Sequence, residues 1–257
     1  MPKRILVVLL LVPLLVLGWS RPAMAAKVWH VVAPGETLRS IARTYGVSVT
    51  DLVRWNQITA AYPVQVDATL RLTPPARPLP DWATRVEPVT PGMVNWNARQ
   101  GCPVAPAHLR RVWVRYIDLQ GNAHNGSVIV RRDVVTRVQR IFRTLYHWRF
   151  RIMAMAPMSV NMPGWKDMGI VTAGYRCRPV AGTRIWSQHA YGTALDINPL
   201  QNPMLPAPSS VYANRSRHLI GMIHAGGAAR AFTWNGYFWG GNWRSAKDYM
   251  HFSLTNK

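Results

Sequence analysis

Two histidines and two aspartates in the C-terminal third of the sequence have the types and spacing of a metal-dependent hydrolytic site. The stretch SQHAYGTALDINP, residues 187–199, carries His189 and Asp196 on either side of a glycine. Near the C-terminus, KDYMHFS supplies Asp248 and, three residues later, His251. A catalytic zinc ion takes three protein ligands from His, Asp, Glu and Cys and leaves one position for water. Two imidazoles and one carboxylate meet this requirement.

We therefore predict that His189, Asp196 and His251 hold Zn²⁺ and that Asp248 is the general base that takes a proton from water. The segment YMHFSL is typical of a strand, in which alternate residues share a face. On a continuous strand Asp248 would face away from His251. It can act as a base only if it lies in a turn before the strand, and otherwise it is an ordinary surface turn residue.

These two motifs resemble the M15 family of zinc peptidases, the group of D-alanyl-D-alanine carboxypeptidases and L-alanyl-D-glutamate endopeptidases. The family pattern is S-x-H-x(6)-D, followed much later by D/E-x-x-H, and the resemblance spans approximately residues 105–254. It implies an α+β zinc peptidase domain of the hedgehog/DD-peptidase type. It also implies the same roles for the two histidines and two aspartates that the chemistry selects.

The M15 resemblance further implies an arginine, upstream of the first metal histidine, that polarises the substrate carbonyl. The segment AGYRCR offers both Arg176 and Arg178, and the choice between them stays open. A guanidinium suits the role because it stays charged and makes paired hydrogen bonds to oxygen anions. One departure is Ser253, where many relatives have a glutamate that hydrogen-bonds near the metal. The tryptophans of WGGNW fit either a substrate floor or the core.

The proline-rich segment at 74–94 predicts a stiff linker with neither helix nor strand. The helices and strands that could position the candidate site follow this linker. In the second domain, 95–257, RVWVRYIDLQGNAHNGSVIVRR predicts a hairpin that turns at Gly121. Asp133 is a candidate cap for a helix with an apolar face, and FRIMAM predicts a further strand. Hairpins and helices without a repeating βαβ order indicate an α+β domain.

Residues 27–73 predict a small β-α-α-β domain. Its first strand precedes a break at Pro34-Gly35, and Thr37 can cap a helix that Gly46 ends. Ser48 or Thr50 begins a second helix, and ATLRL predicts the closing strand.

This stretch resembles a LysM domain through its G-E-T-L turn, the Ile-Ala of its first helix and the W-N that ends its second. LysM domains bind glycans that contain N-acetylglucosamine. The resemblance implies a groove lined on one side by Gly35, Glu36, Thr37 and Leu38 and on the other by Asn56, Gln57 and Ile58. The loop TAAYPVQVDATL departs from the family, which more often has a glycine before the closing strand.

The N-terminus predicts export. Lys3 and Arg4 precede an apolar run, and Ala23-Met24-Ala25 offers a signal-peptidase site, so residues 1–25 are predicted to be a cleaved leader. A membrane anchor is the alternative, but the run is short for a bilayer span. We therefore expect no stable membrane insertion of the mature protein. An oxidising compartment favours a disulfide between Cys102 and Cys177, with two free thiols as the alternative.

The formal charge of +21 favours an anionic partner such as a wall polymer, a membrane surface or nucleic acid. Export argues against nucleic acid. Both resemblances instead indicate peptidoglycan, its stem peptide and its glycan strand. The sequence therefore predicts an exported zinc peptidase of the periplasm or cell wall. A non-catalytic wall-binding protein, with a structural or lost zinc site, is the rival. The bond that is cut and the oligomeric state stay open.

Overall fold

The structure, a computed structural model, describes three stretches of the chain, residues 28–60, 63–158 and 170–256. The predicted leader at residues 1–25 lies outside them. Within these stretches, no helix combines the length and apolar character that crossing a bilayer requires. Helices and strands are mixed, and the described strands form three separate sheets. The predicted mixed α and β class is confirmed.

The N-terminal unit has the predicted order of strand, helix, helix and strand. Its elements are β1 (Trp29–Val31), α1 (Leu38–Tyr45), α2 (Val49–Asn56) and β2 (Thr69–Arg71), and β1 pairs antiparallel with β2. One apolar cluster fills the space between them. Its buried members are Val32, Leu38, Ile41, Ala42, Leu52, Ala68, Leu70 and Leu72.

Local hydrogen bonds set the ends of these two helices. The Thr37 side chain accepts a bond from the Ser40 amide at the start of α1, as a helix cap should. Gly46 ends α1 in the left-handed conformation, with φ 66°. Of the two predicted starts for α2, the structure uses Ser48, whose hydroxyl accepts from the Asp51 amide.

The proline-rich segment contains a strand, which contradicts the prediction of neither helix nor strand there. β3 (Thr84–Pro88) pairs with β4 (Leu109–Ile117), and β4 pairs with β5 (Ala123–Arg131) in the predicted hairpin. β3 lies at the edge of this three-stranded sheet. Proline is tolerated there because an edge strand has one side free of ladder hydrogen bonds.

The predicted helix after the hairpin is α3 (Val135–His147), but Asp133 does not cap it. The Asp133 carboxylate instead accepts two hydrogen bonds from the Arg131 guanidinium, at 2.6 and 2.7 Å. A short 3₁₀ turn, Arg132–Val134, leads into α3 without a side-chain cap. The charge pair therefore displaces the capping role that the sequence suggested.

The segment FRIMAM is not a strand, which contradicts the prediction. It makes only isolated bridges, Ile117 with Arg151 and Met155 with Thr172. Two features interrupt strand pairing here. Arg149, just before the segment, has a left-handed backbone with φ 61°. Within the segment, the Met153 amide donates to the Asn198 side chain and not to a neighbouring strand. A continuous ladder therefore cannot form.

The third sheet carries the candidate site. Its strands are β6 (Ala194–Asp196), β7 (Phe238–Trp239) and β8 (His251–Ser253), in the order β6-β8-β7, and the short helix α4 (Ala229–Thr233) precedes β7. β8 is shorter than the strand predicted from YMHFSL. Leu195 and Phe252 on this sheet belong to the same core as α3, which ties the third sheet to the second.

Buried polar contacts join the N-terminal unit to the rest of the chain. Arg149, only 5% exposed, donates from Nε to the Asn56 carbonyl at 2.6 Å and from Nη2 to the Gln57 carbonyl at 2.9 Å. The Gln57 amide also exchanges two hydrogen bonds with the Leu79 backbone. The segment after β2, predicted to be a stiff linker, is therefore held against the unit it follows.

A disulfide joins Cys102 to Cys177 and closes a loop of 75 residues. The same segment is held by Asn95, whose side chain donates to the Cys177 carbonyl at 2.8 Å and accepts from the Cys177 amide at 2.9 Å. The backbone that carries Arg176 and Arg178 is therefore fixed from one side by a covalent bond and an amide clamp.

Replacing both cysteines with alanine is expected to lower the free energy of unfolding by about 4 kcal/mol, because the unfolded chain regains the freedom of a long loop. Urea unfolding of the wild type and the double variant measures the difference. Adding a reductant should bring the wild type close to the variant. A double variant as stable as the oxidised wild type would contradict this account.

Candidate functional site

Strand register places two of the predicted metal ligands opposite each other. In the antiparallel pair β6 and β8, Asp196 is the direct partner of His251. Directly opposed residues of an antiparallel pair point to the same face, with Cβ atoms about 5 Å apart. Their side chains meet, and His251 Nδ1 lies 3.2 Å from Asp196 Oδ1. Both residues are buried.

The third predicted ligand comes from the turn that leads into β6. His189 lies in a 3₁₀ turn, Gln188–Tyr191, which the Ser187 hydroxyl caps by accepting from the His189 amide. Gly192 ends the turn with φ 67°, and a Cβ there would lie 2.7 Å from the Arg131 amide nitrogen. Only glycine fits this conformation and this close packing. The turn thereby directs His189 back toward Asp196.

The three side chains form a group that could hold a metal ion. His189 Nε2 lies 3.2 Å from Asp196 Oδ2 and 3.3 Å from His251 Nδ1, and His251 Nδ1 lies 3.2 Å from the other carboxylate oxygen, Asp196 Oδ1. In a tetrahedral zinc site with bonds of 2.0–2.1 Å, two ligand atoms are about 3.3 Å apart. All three separations fit that geometry, so the donor set suits a tetrahedral ion.

A hydrogen bond made by His189 leaves the correct nitrogen of that residue for a metal. His189 Nδ1 donates to the Gly174 carbonyl at 2.7 Å, so Nε2 keeps its lone pair toward Asp196 and His251. His251 Nε2 is buried and has no acceptor among the residues that the structure describes. The Ser253 hydroxyl, near the metal group in sequence, donates to the Thr255 carbonyl.

The electrostatics of the group favour a charged carboxylate. Burial opposes ionisation of Asp196, but the charges and hydrogen bonds of His189 and His251 outweigh it and hold the pKa of Asp196 far below its usual range. Burial likewise disfavours charge on His189, yet Asp196 more than compensates, and the pKa of His189 is raised. A carboxylate this strongly held in its charged form offers a permanent negative ligand.

Asp248 meets the condition that the sequence set for a base. It precedes β8 at an isolated antiparallel bridge with Met204, and a bend at residues 249–250 separates it from the strand. Its amide donates to the Gly240 carbonyl, and its own carbonyl accepts from the His251 amide. Burial, followed by the negative charge of Asp196, raises the pKa of Asp248 to about 6. Its Oδ1 is buried without a partner in the described part of the chain. An unpaired carboxylate with a pKa near neutrality suits proton transfer.

The two candidate arginines lie in different surroundings. Arg178 is exposed, and its positive charge opposes protonation of His189, which shows that it lies within electrostatic reach of the site. Arg176 is half-buried, and burial followed by the charge of Arg178 lowers its pKa. Its backbone amide donates to the His189 carbonyl. These contacts favour Arg178 as the guanidinium that faces a substrate and give Arg176 a backbone role.

The tryptophans of WGGNW divide between core and site. Trp239 is buried in the main core, and its Nε1 donates to the Tyr249 carbonyl at 2.9 Å. Trp243 is half-buried, and its ring centroid lies 5.4 Å from that of His251. Trp243 is therefore the aromatic residue of the two that borders the metal group.

Three of the seven predicted glycan-groove residues, Glu36, Leu38 and Asn56, are held by contacts inside the N-terminal unit. Glu36 accepts from His30 Nε2 and from the Ala33 amide, both at 2.7 Å, while Leu38 is in the core. The buried Asn56 amide bonds the Leu52 and Arg71 backbones.

The other four groove residues are more open. Gly35 and Thr37 are exposed. Gln57 and Ile58 line a cavity of about 390 Å³ together with His147, Trp148 and Trp234.

Comparison with family models supports both resemblances. Residues 181–254 match the D-alanyl-D-alanine carboxypeptidase model of the M15 peptidases, and residues 30–73 match the LysM domain model. The chain is therefore similar to a LysM domain over residues 30–73 and to an M15 peptidase over residues 181–254. The M15 match includes all four residues of the predicted metal and base set, but it begins after Arg176 and Arg178. The comparisons with curated proteins and with solved structures found no match.

Sequence reasoning did not anticipate three contributors to the site. The Gly174 carbonyl orients His189, and Gly240 and Gly241 pack against Asp248 and Trp239. A backbone carbonyl has no signature in a sequence, but the paired glycines of WGGNW were a usable signal, because glycine often marks a close approach of backbone.

Replacing Gly240 with alanine should disturb the backbone at Asp248 and the bend that follows it, because a Cβ at Gly240 would lie 2.4 Å from the Asp248 carbonyl oxygen. We expect a loss of about 1–3 kcal/mol in the free energy of unfolding, as for other forced overpacking. Urea unfolding measures it. The matched control is Gly226→Ala, where a Cβ meets no atom within 4 Å. Equal stability of the two variants would show that Gly240 does not hold the bend.

Proposed function

We propose that this protein is an exported, zinc-dependent peptidase that cuts the peptide stem of peptidoglycan and is held on wall glycan by its LysM domain. The observation that carries the proposal is the convergence of His189, Asp196 and His251 at separations that fit a tetrahedral ion, with Asp248 beside them. The M15 and LysM matches support the same polymer from two unrelated segments. Neither match selects between carboxypeptidase and endopeptidase cleavage.

In this proposal, two histidines and an aspartate hold the ion and leave one side of the group open to substrate. Bound zinc supplies a Lewis acid that polarises a carbonyl and lowers the pKa of water. Asp248 takes the proton of the attacking water at its unpaired Oδ1 and passes it to the leaving amine. The Arg178 guanidinium donates to the carbonyl oxygen as negative charge develops there.

We also propose a fold type for the peptidase domain and a location for the protein. The peptidase domain, 95–257, is assigned to the hedgehog/DD-peptidase type of fold on the M15 match and its short central sheet. The predicted leader, the disulfide and a strongly basic composition all suit a periplasmic or wall location, where the polymers are anionic.

Digestion of purified sacculi tests the activity. Wild-type protein should release soluble muropeptides or D-alanine, detected by mass spectrometry. A chelator should abolish the release, and Zn²⁺ should restore it. Asp248→Asn should lower the rate by a factor of about 10²–10⁴, the usual contribution of a positioned base. Arg178→Lys should lower the rate more than Arg176→Lys does.

The control for these variants is Asp81→Asn, which changes an exposed carboxylate outside the site. Circular dichroism should show that every variant is folded. A folded wild type that releases nothing from varied wall preparations, with or without Zn²⁺, would favour the rival reading, a wall-binding protein without catalysis.

Binding to sacculi in the presence of chelator tests the LysM groove separately from cleavage. Gly35→Asn adds a side chain to the predicted groove, and asparagine tolerates the left-handed backbone that Gly35 adopts at φ 82°. We expect binding to fall several-fold in a co-sedimentation assay, because the added side chain takes the space of the sugar.

Gly46→Asn is the matched control for this measurement. Gly46 is also left-handed, with φ 66°, and a side chain there also meets open space, but it lies at the opposite end of α1. Unchanged binding in both variants would remove Gly35 from the glycan site.

A further inference from the structure

A second group of potential metal ligands lies where the LysM domain meets the peptidase domain. Asp67, in the loop before β2, is 2% exposed and reaches His218 and His224 of the peptidase domain. The three donor atoms lie within 4.8 Å of one another. Sequence spacing does not connect them, because more than 150 residues separate Asp67 from His218.

The Asp67 carboxylate is oriented by backbone contacts that leave one oxygen for side chains. Oδ2 accepts from the amides of His224 at 2.9 Å and Ala228 at 3.0 Å. A Cβ on Gly227 would lie 2.1 Å from Oδ2, so the backbone packs directly on the carboxylate. Oδ1 faces both imidazoles, with His224 Nδ1 at 2.6 Å and His218 Nδ1 at 3.7 Å.

The hydrogen bonds of His224 place the lone pair of its Nδ1 opposite the negative Asp67 carboxylate, so a proton or a cation is required between the two atoms. Nε2 lies 3.1 Å from the Arg217 carbonyl, which can only accept, so Nε2 carries a hydrogen. In neutral imidazole Nδ1 then has a lone pair, and this lone pair faces the Asp67 carboxylate. Either a second proton or a cation must lie between them. This is the arrangement by which a backbone carbonyl fixes a metal-binding histidine.

His218 separates these two possibilities. Its Nδ1 is buried, has no hydrogen-bond partner among the described residues and points toward the same carboxylate oxygen. The two imidazole rings stack with centroids 4.1 Å apart. A second proton on His224 would satisfy only that residue and leave His218 Nδ1 with nothing nearer than the 3.7 Å contact to Asp67 Oδ1. A metal ion would satisfy all three donor atoms.

We propose that Asp67, His218 and His224 bind a divalent transition-metal ion, such as Zn²⁺, that cross-links the LysM domain to the peptidase domain. Two imidazoles and a carboxylate are a ligand set that zinc accepts. Ligand atoms of a tetrahedral site lie about 3.3 Å apart, so the Asp67–His224 contact must widen and the Asp67–His218 contact shorten, each by less than about 1 Å.

The neighbouring cation does not occupy the site. Arg215 lies close enough for its charge to interact with Asp67. Its guanidinium, however, donates to the carbonyls of Gln201, Tyr212 and Ile223 and to the Asn202 side chain. The Asp67 carboxylate therefore remains available to an ion on its Oδ1 side.

Metal counting on the full chain tests the proposal. Protein stripped with chelator and dialysed is titrated with Zn²⁺ by calorimetry, and bound zinc is counted by elemental analysis. Wild type should bind two equivalents. His218→Gln should bind one, or the second at least tenfold more weakly, and His189→Gln should keep the ion at Asp67. The matched control is His124→Gln, since His124 also pairs with an aspartate, Asp118 at 2.7 Å, but without a second histidine.

The outcomes separate this proposal from the proposed peptidase function. One equivalent in the wild type that His189→Gln removes would overturn the junction site and leave the catalytic site intact. Two equivalents that persist in His218→Gln and His224→Gln would also overturn it. One equivalent that only the junction variants remove would support this site and count against the catalytic one. His218→Gln and His224→Gln test the same site through two different residues, so poor folding of one variant does not prevent a decision.

Discussion

The candidate site depends on the register of one strand pair. β6 and β8 pair so that Asp196 stands directly opposite His251, and both side chains therefore reach the same face. Because side chains alternate along a strand, a slip of one residue would send one of these ligands to the other face. The apolar neighbours Leu195 and Phe252 oppose such a slip, since it would bring them out of the core. Core packing and metal geometry thus favour the same register.

Much of this site was predictable, because metal binding and proton transfer each require particular residue types. His189, Asp196, His251 and Asp248 were selected by what zinc and a general base require, and the structure brings the three ligands together. The position of Asp248 followed from a condition on strand geometry, that it must lie before the strand, and it does. The arginine was harder, because two guanidinium groups one residue apart differ only in burial and direction, which a sequence does not record.

The fold was predictable where contacts are local. Caps, breaks and alternation located the four elements of the LysM domain and the hairpin β4–β5. Predictions failed where a distant partner decided the conformation. β3 forms because β4 offers an edge, and FRIMAM is not a strand because Asn198 takes one of its amides. The packing of the N-terminal unit on the rest of the chain, through Arg149 and Asp67, also depends on contacts between residues far apart in sequence.

Anomalous diffraction at the zinc absorption edge, on crystals grown with Zn²⁺, tests the central claim most directly. The account predicts a peak about 2.0–2.2 Å from His189 Nε2, His251 Nδ1 and an Asp196 carboxylate oxygen, with a fourth position taken by solvent. Crystals of zinc-loaded protein without a peak among these three side chains, or with them turned away from one another, would contradict it.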